Sequence, residues 1–288
     1  MKLFHLSKKA RDRKRKNVFA SLLTIFLIIL FAVPTGLYFA DGYIDKHFKA
    51  ELPEADELID NVNNIEYEGK SPDNLSAIDT YLVASKILNE KEYYKVTTDG
   101  IVDAQVTTQE ISGIFIKDGL NYSNETYSKG MVSVASKAIY TPGSDVIIYE
   151  GKKSSNSTSY AWNNANTVTY DYYRENYGKD ASYCWSYIIS SKTVIAQTKC
   201  TKEDDLYTYT ISLDPTTSTI YYKNQIRLLS GLKSDPEFKS IQITFTVNEN
   251  FEFKSLVIKE TYTMNYVGVK VTVSCVENPL SAEFSYEK

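Results

Sequence analysis

Residues 18–40, VFASLLTIFLIILFAVPTGLYFA, run for 23 positions without a charged side chain. A helix rises about 1.5 Å per residue, so this stretch reaches roughly 34 Å, enough for the ~30 Å hydrocarbon core of a bilayer. The apolar core of a cleaved signal peptide is shorter, about 7–15 residues, and ends at small residues. The best cut here, after Ala40, puts the bulky Tyr38 where a small residue is wanted. Pro34 is tolerated within a membrane helix. An uncut single-pass transmembrane helix is therefore expected. Residues 1–17 carry eight Lys and Arg against one acid, Asp12, a net charge of +7. The chain as a whole has a net charge of −4, which leaves residues 18–288 at −11. Basic flanks stay on the cytoplasmic side. The expected order is a basic cytoplasmic tail (1–17), the transmembrane helix (18–40), an acidic stalk or leading helix (41–71) and an extracytoplasmic domain (72–288) at the outer surface of the cell membrane.

The outer part offers little material for catalysis. The two histidines are His5 and His47, both ahead of the body, so neither a His-based triad nor a His-rich zinc site can form within residues 72–288. The stretch SYCWSY has Trp185 after Cys184, as in papain-like nucleophile motifs, but lacks the accompanying glycine, second cysteine and histidine. The acids Glu203 to Asp205 read as a solvated loop. There is no Gly-rich phosphate loop. The acidic body argues against nucleic-acid binding. No catalytic residue, metal ligand or cofactor is assigned, the ligand-binding residues are not identified, and a non-enzymatic protein is expected. A hydrolase built on a carboxylate pair from distant strands stays open as an alternative.

Hydrophobic periodicity supplies the fold. PEADELIDNVNNI reads as a helix over about 53–65, with Leu58, Ile59, Val62 and Ile65 on one face. SPDNLSAIDTYLVASKILNEK reads as a helix over about 72–89, capped by Ser71 and opened by Pro72, with a stripe of Leu75, Ile78, Leu82 and Leu88. From Tyr93 the period becomes two. Hairpin turns are expected at Lys117-Asp118-Gly119 and Thr141-Pro142-Gly143, and residues 152–167, rich in Ser and Asn, read as a long loop. A short helix is expected over 221–230. A C-terminal meander follows, with Ile241, Ile243, Phe245 and Val247 on one face, then Val267, Val269, Val271, Val273 and Cys275. Such alternation means antiparallel strands with one covered face. The expected fold is mainly β with a few helices (α+β), a curved antiparallel sheet or half-barrel preceded by a single transmembrane helix.

Three cysteines remain. If Tyr183–Ser190 and Val194–Cys200 form a hairpin in which Ser190 faces Val194, then Cys184 faces Cys200 at a separation that a disulfide can bridge. Cys184 and Cys200 are thus a disulfide candidate, and Cys275 reads as a buried small hydrophobe.

The stretches NLSAIDTYLVASKILNEKEYYKVTTDGIV and FKSIQITFTVNENFEFKSLVIKETYTMNY set a helix before a long strand and a tight turn before a crossing strand. In that order the chain resembles the half-barrels of bacterial lipoprotein carriers and related extracytoplasmic lipoproteins, and uncharacterised membrane-anchored proteins of low-GC Gram-positive bacteria or mollicutes. The resemblance implies a curved sheet whose concave face holds acyl chains. Two functions are expected from the whole. The first is a membrane-anchored surface module that makes protein or glycan contacts through Tyr-rich faces and the 152–167 loop. The second is a tethered binding protein for a lipid or other apolar ligand.

Overall fold

A computed structural model describes residues 58, 60, 65–103, 108–129, 134–153, 160–177, 180–223, 226, 234–266 and 269–288. The tail, the transmembrane helix at 18–40, both histidines, nearly all of the helix expected at 53–65 and most of that at 221–230 lie outside these residues. Among the described residues no helix is long and apolar enough to cross a membrane.

Among the described residues the body is mainly β: thirteen strands in one curved antiparallel sheet. In chain order they are β1 (Tyr93–Asp103), β2 (Thr108–Asp118), β3 (Asn121–Lys129), β4 (Val134–Tyr140), β5 (Val146–Lys153), β6 (Tyr160–Val168), β7 (Val194–Gln197), β8 (Thr201–Glu203), β9 (Leu206–Leu213), β10 (Glu237–Asn248), β11 (Phe253–Tyr266), β12 (Val269–Ser274) and β13 (Leu280–Ser285). Their spatial order is β6-β5-β4-β3-β2-β1-β12-β11-β10-β9-β7, with β8 on β9 and β13 between β1 and β11. Strands β12 and β13 share one slot. Ser274 faces Thr261 and Leu280 faces Ile258, so an advance of six residues on one side matches three on β11. The surplus bulges out between them.

Period-two patterning sets which face is covered. Tyr207, Tyr209, Ile211 and Leu213 on β9 are buried, as are Ile241, Ile243, Phe245 and Val247 on β10. Their neighbours Thr208 and Thr210 point the other way and bond Thr246 and Thr244 across the strands at 2.9 Å each. The hairpin turns expected near Gly119 and Gly143 form, and both glycines adopt positive φ, 60° and 83°, a region that costs glycine nothing. The first is a two-residue loop of Gly119 and Leu120, since Asp118 pairs with Asn121.

The main helix, α1 (Ala77–Glu90), crosses the inner face. It starts later than the sequence suggests. Pro72–Asn74 form a separate 3-10 turn, and Ser76, not Ser71, is the cap, accepting from Asp79 N at 3.1 Å. The sheet holds both ends. Gln197 of β7 accepts from Ile78 N at 3.1 Å, and Tyr209 donates to Pro72 O at 2.6 Å. At the far end the buried Lys117 of β2 donates to Asn89 O at 2.6 Å, where the helix dipole favours a cation. Tyr81 packs edge-on to Phe245 and Phe253, each at 5.4 Å. A second helix, α2 (Tyr170–Tyr177), covers the opposite wing through Tyr173.

Two expectations need correction. Residues 152–167 are not one long loop: β5 continues to Lys153, and Tyr160–Val168 form β6, paired with β5 from Val146↔Val168 to Lys153↔Tyr160. An edge strand needs no apolar alternation, which hid it. Tyr183–Ser190 is not a strand either, and the hairpin with Val194–Cys200 does not form. Its second arm, β7, pairs with β9 instead. The chain turns at 190–193, where Val194 N donates to Ser190 O at 3.1 Å, and the two arms then diverge.

Candidate functional site

After α2 the chain runs without regular secondary structure through residues 180–189, crossing the inner face as a strap. Asp180 fixes its start by accepting from Tyr170 Oη at 2.7 Å and from Ser182 N at 2.8 Å. Trp185 meets Phe284 of β13 edge-on at 6.1 Å. Ile188 N donates to Ser218 O at 2.9 Å, and Thr193 Oγ1 donates to Ile188 O at 2.8 Å. At its far end Asp60 accepts from Ser191 Oγ at 2.7 Å.

Strap and helix do not close on each other. Between them lies a cleft of about 760 Å³, walled on one side by Tyr81, Leu82 and Leu88 of α1 and on the other by Trp185, Ile188 and Ile189. Lys86 and Arg174 also line it. The volume falls in the ~300–1,000 Å³ range of small-molecule pockets, which are mostly apolar with a few polar groups. Tyr183, 47% exposed, also lines it. From Tyr94, a wall residue, stacked and tilted rings lead outward through Phe115, Tyr122 and Tyr140 to Tyr170 of α2.

Beneath the strap sits a carboxyl that sequence patterning does not single out. Glu260 on β11 shares the inner face with Ile258 and Tyr262 and is 4% exposed. It accepts from Tyr187 of the strap and, at 3.2 Å, from Tyr222 Oη. Burial pushes its pKa up to about 7, against the lowering effect of the two phenols. Cys275, at the bulge between β12 and β13, accepts from Glu260 N through Sγ at 3.3 Å. Burial, and then the charge of Glu260, pushes that thiol up to about 12, so it is no nucleophile at neutral pH. Glu260 lines none of the cavities described for this chain.

Cys275 is buried, as its apolar strand face implies. Cys184 lies in the strap and lines the cleft, whereas Cys200 lies between β7 and β8. Both are thiols here. Glu203, the last residue of β8, and the turn residues Asp204 and Asp205 are all exposed. Among the described residues no group of three His, Cys, Asp or Glu could hold a metal. A second aromatic cluster lies on the outer face of the wing, where Tyr127 sits 5.2 Å from Tyr160 and 6.2 Å from Trp162. Beside it runs an open groove of about 430 Å³ that includes Asp99, Glu110 and Tyr127.

No protein-family model and no curated protein sequence matches the chain. Among solved structures, the chain is similar to the lipoprotein LppX of Mycobacterium tuberculosis, with 6% identity and a TM-score of 0.33 over 72% of this chain and 92% of that one. It is also similar to a DUF1329 family protein of Desulfovibrio piger, with 6% identity and a TM-score of 0.29 over 72% and 90%. Similarity at this level assigns neither a family nor a ligand.

Proposed function

We propose that this chain is a non-enzymatic binding protein, tethered to the outer side of the cell membrane by residues 18–40, that holds a lipid or comparable apolar ligand between α1 and the strap. The observation that carries the reading is the cleft of about 760 Å³, whose opposing walls are aromatic and aliphatic. An apolar surface left in water costs about 25 cal/mol per Å², and a single-chain ligand would relieve that cost along both walls. Of the acids that line it, Asp60 and Asp180 are each engaged by neighbouring hydroxyls or amides, and Glu90 is exposed at the end of α1. The tether rests on the uncharged run and its basic flank. Protease added to intact cells should then remove the body and leave a membrane-bound N-terminal fragment, and a mature chain starting near Asp41 would contradict it.

A second reading, a surface module for protein or glycan contacts, draws on the outer cluster of Tyr127, Tyr160 and Trp162, because aromatic faces beside carboxylates suit a sugar ring. The test that separates the two is native mass spectrometry of the full chain released from detergent. The binding reading predicts one retained acyl-type ligand per chain, lost in Ser85→Arg, since Ser85 of α1 lines the cleft and the change fills it without removing a buried apolar side chain. A folded chain that carries no ligand and takes up no added fatty acid would leave the contact module as the better account.

A further inference from the structure

Where the strap crosses β1 and β13 the sheet is floored by small residues. Thr98 of β1 faces Gly113 of β2 on one side and Ala282 of β13 on the other. Larger side chains flank this row, with Phe115 two positions along β2 and Leu256 opposite Ala282. The dip leaves a hole of about 40 Å³ between sheet and strap. Four strap residues, Cys184, Trp185, Ser186 and Tyr187, line this hole and the large cleft alike. The two spaces thus adjoin at residues 184–187.

Thr98 lines the hole and is 7% exposed, and its Oγ1 has no hydrogen-bond partner among the described residues. Buried hydroxyls are nearly always bonded, because burying one unbonded costs stability. A valine would fill the same space without that cost. The hydroxyl therefore needs an account that packing does not supply.

We propose that Thr98 marks a polar subsite at the inner end of the cleft, which takes the uncharged terminal hydroxyl of a single-chain amphiphile, a fatty alcohol or a protonated fatty acid. The inference rests on the apolar-ligand reading above and adds which end of the ligand points inward. The chain lies between α1 and the strap, and its polar end passes beside Trp185 to Thr98. The lining fixes the class: hydroxyl-bearing Thr98, Ser186, Tyr187 and Tyr222 sit among apolar side chains, and no Lys or Arg among the described residues lines the hole, so it suits an uncharged hydroxyl and not a phosphate.

The test compares two probes, dodecan-1-ol and dodecane, binding to the full-length protein carrying Trp162→Phe, in which Trp185 is the sole remaining tryptophan and reports both spaces. With Thr98 in place, both probes bind. Thr98→Val should weaken the alcohol about tenfold, the scale of one hydrogen bond, and leave dodecane unchanged. Thr98→Ser, which keeps the hydroxyl, should restore the alcohol, and circular dichroism checks that each variant folds. An equal change for both probes, or none for either, overturns the subsite while the binding reading stands, and it leaves a buried water as the partner of Thr98. Failure of both probes to bind the parent protein overturns the binding reading and this inference with it.

Discussion

The two halves of the sheet are covered by different means. Over β9, β10 and β11, the helix α1 lies on the inner face, and Tyr81, Tyr209, Phe245 and Phe253 form one interlocked aromatic group. Over the wing of β3 to β6, the cover is the eight-residue α2 and a small separate cluster of Ala138, Tyr140, Val146 and Ile148 with Tyr173 and Ala181. The first half is a closed core. The second is lightly roofed, and the strap, which runs from α2 towards β7, lies between the two roofs. A cleft forms at this seam because neither helix reaches across it. Rigid support and accessible apolar surface are thus placed side by side, which is how binding sites are generally built on folds.

Substitutions in the closed half should cost most. Phe245→Ala removes a fully buried ring that three aromatic side chains contact, and the expected loss is about 3–5 kcal/mol of unfolding free energy in urea titration. Tyr173→Ala in the wing should cost less, because the wing can open locally. Hydrogen exchange should then rise in β4 and β5 while β9 and β10 stay protected. Equal loss of protection across both would show that the halves are a single cooperative unit.

The carboxyl under the strap sharpens the comparison through pH. Folded Glu260 titrates at about 7, whereas an unfolded glutamate titrates near ~4.3. Between these values the folded chain keeps a proton that the unfolded chain has released. Stability from this group is therefore full below pH ~4.3, falls as pH rises toward about 7, and is level beyond. The loss is on the order of 3 kcal/mol, and Glu260→Gln should flatten that part of the profile. A parent profile already flat over this window would mean that Glu260 is hydrated.

Smaller effects test the seam itself. Lys117→Met removes the bond to Asn89 O that pins the end of α1 to β2, at an expected cost of about 2 kcal/mol. Leu120→Ser, at a hairpin tip 68% exposed, should change stability by less than about 0.5 kcal/mol. A large effect at Leu120 would mean that this tip is covered by a partner in solution.

Much of the sheet was legible because alternation is a local signal. Ile241, Ile243, Phe245 and Val247 announce their common face, as do the turns at Gly119 and Gly143. The main helix was legible in its apolar stripe but not in its start, since Ser71 and Ser76 are both good caps and only the fit of Ile78 against Gln197 decides between them. The site was much less legible. The strap's SYCWSYII has a strand's composition, and its fate depends on β9 taking β7 as a partner, a contact that no local pattern encodes. Glu260 sits in KETYT, where a charged residue reads as exposed. Only the arrival of Tyr187 and Tyr222 from distant segments makes its burial tolerable. Thr98 looks like any strand threonine until Gly113 and Ala282 come to lie beside it.

The two tryptophans provide the most direct test of the central claim, because Trp185 lines the cleft and Trp162 belongs to the outer cluster. A fatty acid brominated along its chain quenches indole fluorescence only on contact. Titrated into the full-length protein, it should quench Trp185 saturably in the Trp162→Phe variant and leave Trp162 bright in the Trp185→Phe variant. Quenching of Trp162 alone, or of neither, would contradict an apolar ligand site between α1 and the strap.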